Sequence, residues 1–100
     1  MEHEVIVFRE FESASGLTRT EILELVDYGV FAPVGGEAAP AARPDEWQFP
    51  GSALTLARVA ARMRDDFDAA PASLALLFAY RERLLELERR VRELECRLPR

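Results

Sequence analysis

The apolar positions of this chain change their spacing several times, and each change marks an element. Val5 to Phe8 is a short β-type run, after which Phe8, Phe11 and Ala14 recur at helical spacing and predict a first short helix from about Arg9 to Ser15. Gly16 supplies a left-handed stop. Thr18 and Glu21 then make a T-x-x-E capping box, and Leu17 is spaced from Ile22 for a hydrophobic staple, so a second helix is expected to run to about Tyr28 and to end at Gly29. Two short helices joined by a tight glycine-containing turn are the helix-turn-helix pattern.

The next segment reads as a wing. Residues 31–50 hold Pro33, Gly35, Gly36, Pro40, Pro44 and Pro50, and the Ala-Pro stretch from Glu37 to Pro44 can keep neither a helix nor a central strand. A mobile loop over 37–44 is therefore expected, closed by Trp47 and Phe49 packing inward. Trp47 reads as a core anchor in preference to a binding hot spot. A third helix starts near Gly51 or Ser52, places Leu56, Val59, Ala60 and Met63 on one face, and ends around Asp66. Pro71 opens a last helix at its first turn, and a helix from there to Leu98 would be about 42 Å long.

That last helix carries a heptad stripe, with Leu77, Leu84, Val91 and Leu98 at one position and Tyr80, Leu87 and Leu94 at the other. A coiled coil with a second copy is the favoured reading, which makes these seven residues a dimerisation seam. The alternative is an amphipathic helix docked on the third one. A parallel pair would match Arg83 with Glu88 and Arg90 with Glu95 across the seam. Against that, Glu86 with Arg90, Glu88 with Arg92 and Glu93 with Arg97 are good pairs within one helix, so strand direction stays open.

Length and composition narrow the function classes. One hundred residues make a single domain with a modest core and little room for a deep catalytic pocket. The longest apolar run, Leu74 to Tyr80, is far short of the roughly 18 residues that span a bilayer. Acids at Glu2 and Glu4 stand where a secretory signal would carry bases, and the lone Cys96 suits a reducing compartment, so a cytoplasmic protein is expected. Catalytic chemistry is sparse: one His, one Cys, no Lys, and no pair at metal-ligand spacing. His3 reads as a tail residue, Gly35-Gly36 as turn chemistry, and Asp65 with Asp66 as exposed helix-end acids. Neither an enzyme nor a cofactor site is expected.

The distribution of charge is more informative than its total of −5. Residues 1–50 hold ten acids against Arg9, Arg19 and Arg43, whereas residues 51–100 hold eight acids against ten arginines. An acidic head repels phosphate backbones and attracts basic proteins.

The order of short strand, helix-turn-helix, wing with aromatic closure, third helix and long C-terminal helix resembles the MerR-like winged-helix group. The expected fold is thus mostly α, a winged helix-turn-helix head over residues 1–66 with a short β wing, then a long coiled-coil-like helix over 71–98. Several segments are more closely similar to the CbpM family of chaperone modulators: Phe8-Arg9-Glu10-Phe11 through Gly16-Leu17, Glu24-Leu25-Val26-Asp27-Tyr28-Gly29-Val30, Pro33, Trp47 with Phe49, and the Leu-rich tail. The match spans nearly the whole chain and rests on order and spacing, since each piece alone is a common packing signal. The Ala-Pro loop and the segment Asp68-Ala69-Ala70-Pro71 depart from that family's pattern. The resemblance implies binding to the J-domain of a DnaJ-like co-chaperone of the CbpA type and inhibition of its stimulation of the Hsp70 partner DnaK.

Charge separates the two branches of that resemblance. Around the second helix, the arc opposite Ile22, Leu25 and Val26 carries Thr20, Glu21, Glu24 and Asp27, and the wing offers Asp45 and Glu46. A DNA-reading helix would carry bases there, because phosphate neutralisation supplies much of the affinity. The expected partner site for a basic J-domain helix is Glu21, Glu24 and Asp27, with Asp45 and Glu46 beside them, and with Tyr28 and Phe31 supplying apolar contact. The plainer reading of the acids is a solvated face. A MerR-like transcription regulator or accessory subunit that binds DNA is the alternative function, and a purely structural coiled-coil adaptor is a third.

Overall fold

Residues 4–35 and 43–98 are described by the computed structural model of the chain. Val5–Val7 forms β1 and pairs antiparallel with Gln48–Pro50, β2, in a register that sets Ile6 opposite Phe49. Alternation turns Phe49 into the core and leaves Val5 and Val7 exposed on the outer face. The backbone N–H of Val34 donates to the Gln48 carbonyl at 2.7 Å, which ties the segment after the second helix to the far edge of β2. This small sheet is the wing. Of the loop expected over 37–44, residues 37–42 lie outside the described residues, as does His3. From residue 43 the chain makes a single 3-10 turn, Pro44–Glu46.

The first helix, α1, spans Phe8–Ser15 and ends on Gly16 at φ 83°, the left-handed conformation that glycine adopts without steric cost. The second, α2, spans Arg19–Asp27 and opens with the full capping box. The Glu21 backbone N–H donates to the Thr18 hydroxyl at 3.2 Å, and the Thr18 backbone N–H donates to the Glu21 carboxylate at 2.9 Å. At the other end, Val30 N–H reaches the Leu25 carbonyl and Gly29 N–H reaches that of Val26, both at 3.0 Å, with Gly29 at φ 81°. That is a Schellman closure, and it places the helix end where the glycine stands in the sequence.

The core is aromatic on one side and alanine-lined on the other. Phe11 and Phe49 stack at 4.0 Å between ring centroids, and Phe8, Phe31 and Trp47 surround them at 5.5 to 6.4 Å in tilted or edge-on contacts. The third helix, α3, spans Gly51–Phe67 and faces this cluster with Ala53, Ala57, Ala60 and Ala61. Leu56, Val59 and Met63 pack on its margins, half-buried. The buried face of α3 is thus turned from the expected one. Only small side chains let α1 and its turn come close: a Cβ placed on Gly16 would stand 3.7 Å from that of Ala61.

The last helix, α4, spans Pro71–Arg97. Leu74 and Phe78 sit in the head's core, and the first turns of α4 pack against α2 and α3. From Tyr80 to Leu98 every side chain is exposed, and the projecting helix gives the molecule a long axis of 56 Å. Docking of the heptad stripe on α3 does not occur within the chain. The fold is the expected mostly helical winged helix-turn-helix with a long C-terminal helix.

Candidate functional site

Five of the seven expected partner-site residues lie on or beside α2. Glu24, Asp27 and Tyr28 are exposed along it, and among the described residues neither acid enters an ion pair. Glu21 is placed differently. Its carboxylate is folded back on the helix cap and also accepts from the Arg64 guanidinium of α3 at 2.6 Å, with only 16% of the side chain accessible. Arg64 donates in addition to the Gly16 carbonyl at 3.0 Å, and its hydrogen bonds to Asp65 and then Glu21 raise its pKa and hold it charged. Glu21 is therefore a latch between the helix-turn-helix and α3, not an open acid of the outer face.

Phe31 is also taken up within the chain. It is 5% exposed, edge-on to both Phe11 and Phe49, so it supports the surface from beneath and offers no area to a partner. On the wing, Glu46 is exposed, and Asp45 binds Arg19 at the start of α2 at 2.6 Å. That hydrogen bond, reinforced by the charge of Arg19, holds the Asp45 carboxyl below its ordinary value. Arg19 also lies over the Phe8 ring, 5.2 Å from its centroid. The one base on α2 is thereby drawn toward the wing and shares its charge with Asp45.

Beside Tyr28 a shallow groove of about 100 Å³ runs between the end of α2 and α4, lined by Gly29, Val30, Phe78 and Ala79 and rimmed by Glu82. It is a surface of mixed character: aromatic and small apolar groups, with carboxylates at Glu82 and, on the adjoining face of α2, Glu24 and Asp27. Neither the latch by Arg64 nor the groove was expected. The capping box carried the signal for the first, since a carboxylate turned back on its own helix cap is already engaged. For the groove there is no local signal, because Tyr28 and Glu82 are brought together only by the docking of α4.

The seven heptad residues stand along one side of α4, from Leu77 at 37% exposed to Leu98 at 66%. Cys96 is exposed near the helix end. Among the described residues no cluster of three His, Cys, Asp or Glu is placed to hold a metal ion, and no helix is long and apolar enough to cross a membrane.

The family model described as "MerR HTH family regulatory protein" matches residues 6–96. The chain belongs to this family. No curated protein matches it. In this MerR HTH family member the helix at the position of the second helix-turn-helix element is α2, with Glu24 and Asp27 outward and its single base paired to the wing. Regulation is the family's business.

Proposed function

We propose that this chain is a non-catalytic, cytoplasmic regulatory protein that binds the J-domain of a DnaJ- or CbpA-like co-chaperone and inhibits its stimulation of Hsp70. The observation that carries the reading is the charge of α2: two exposed carboxylates, Glu24 and Asp27, and a single base, Arg19, whose charge is answered by Asp45. A basic helix suits that face, and association is steered by complementary fields before contact forms. Tyr28 and the groove beside it supply the apolar area, since exposed ion pairs contribute only about 0 to 1 kcal/mol each. The similarity of the sequence to the CbpM family points the same way. The exposed stripe of α4 joins two copies into a homodimer.

Pull-down of a DnaJ-like protein by the full chain, and loss of that capture in Glu24→Arg/Asp27→Arg, is the expected result. Glu21 is left intact in this variant because it caps α2. Retention of duplex DNA by the wild-type chain with a steep salt dependence would instead favour the transcription-regulator reading. Capture that survives in a chain carrying both substitutions, and that needs only α4, would favour the adaptor reading.

A further inference from the structure

The groove beside Tyr28 is too small for a metabolite. Small-molecule sites are clefts of about 300 to 1,000 Å³, whereas this one holds about 100 Å³. That room suits a single side chain, and the lining says which kind. Val30, Ala75, Phe78 and Ala79 make it apolar, with Phe78 buried in the core, and Glu82 stands at its rim. Tyr28, Gly29 and Val30 follow directly on α2, so the carboxyl end of that helix opens onto the groove. A helix macrodipole is negative at this end and favours a cation there. The chain supplies none. The last turn of α2 holds Glu24 and Asp27 and no base, and among the described residues neither these acids nor Glu82 enters an ion pair. Arg81 and Arg83 are turned about 100° to either side of Glu82 around α4.

We infer that this groove is the socket for one arginine or lysine side chain of a basic helix on the partner, and that Glu82 selects it by charge. This rests on the partner reading proposed above and gives that site a second wall, α4. The groove asks for an apolar stem and a charged head. The methylenes of the incoming side chain lie along Phe78, Ala79 and Tyr28, while its cationic group reaches Glu82 and the end of α2. An acidic side chain would meet carboxylates and the negative helix end, and a purely apolar one would answer neither. A side chain seated in a pocket can carry much of an interface's affinity, which exposed ion pairs do not. Glu82 lies about 160° around α4 from Leu84, so the socket and the leucine stripe are on opposite sides of the helix and can be occupied together.

The test uses the full chain and two probes. One is a fluorescent helical peptide whose polar face carries arginines, with a twin in which glutamines replace them; the other is the J-domain of a DnaJ-like co-chaperone. Ala79→Leu fills the groove without changing charge, at a position on α4 that is exposed. By fluorescence anisotropy the wild-type chain should bind the arginine peptide at least tenfold more tightly than its twin. Ala79→Leu should weaken that binding at least tenfold and Glu82→Gln about threefold, with the thermal melt of both variants unchanged. An arginine peptide that binds Ala79→Leu as tightly as the wild type overturns the socket, because general attraction to an acidic protein does not need the groove. J-domain capture that persists beside that result leaves the proposed function in place. Groove-dependent peptide binding without J-domain capture overturns the proposed function and keeps the socket for another basic helix.

Discussion

Phe11, Ile22, Leu25 and Phe49 have no exposed surface, whereas Leu84, Leu87, Val91 and Leu94, of the same apolar kind, stand 42 to 60% exposed along α4. The head gathers its apolar groups from five elements onto one point. Each ring there is met by another, and α3 presents alanines so that the backbones can close around them. The far half of α4 has nothing of its own chain opposite it. It remains helical through its own residues, which are strong helix formers apart from Val91 and Cys96, and through pairs such as Arg89 with Glu93. The fold closes over the apolar groups of one region and leaves those of the other open.

The contrast between core and stripe is sharpest at the stacked rings. Phe49→Ala empties the centre of the aromatic cluster and should cost about 3 to 5 kcal/mol in denaturant unfolding, a large share of the roughly 5 to 15 kcal/mol that holds a domain folded. Ala61→Leu should cost about 1 to 3 kcal/mol by forcing α3 away from Gly16, although it makes the helix more hydrophobic. A gain of stability there would show that the alanine seam is not close-packed. Thr18→Ala removes one half of the capping box and should cost about 1 kcal/mol, read in the same experiment.

Leu87→Ala should change unfolding by less than about 0.5 kcal/mol at dilutions where the chain is monomeric, because its side chain touches no core. A large loss there would erase the distinction between the two regions. The smallest effect is expected at the wing. Since Arg19 lowers the folded pKa of Asp45 from 3.8, the pair's contribution is complete above that value and is lost as the pH falls through the folded pKa below it. A carboxyl NMR titration of Asp45 should therefore have its midpoint under 3.8, and Arg19→Gln should raise that midpoint.

Much of the head was legible because its signals are local. The capping box at Thr18 and Glu21, the glycines at the ends of α1 and α2, and Pro71 at the start of α4 each act within a few residues, and each appears where the spacing places it. The face of α3 was not legible. Leu56, Val59 and Met63 carry more apolar surface than Ala53, Ala57 and Ala61, yet what decides burial is how near α1 comes, and a single helix does not record that distance. The partner-site acids divide in the same way. Glu24 and Asp27 point outward as helical phase requires, while Glu21 is drawn to Arg64, 43 residues away in the chain.

By itself the sequence determined the elements, their ends, the acid-rich second helix and the seven-residue stripe, because capping, helical phase and residue charge are properties of neighbouring positions. Only the tertiary structure decided which apolar groups are spent on the core and which acids are already answered by arginines. Those outcomes depend on the approach of elements far apart in the chain. Leu74 and Phe78 turn inward and Leu77 and Tyr80 turn outward on one helix because the head covers a single side of it.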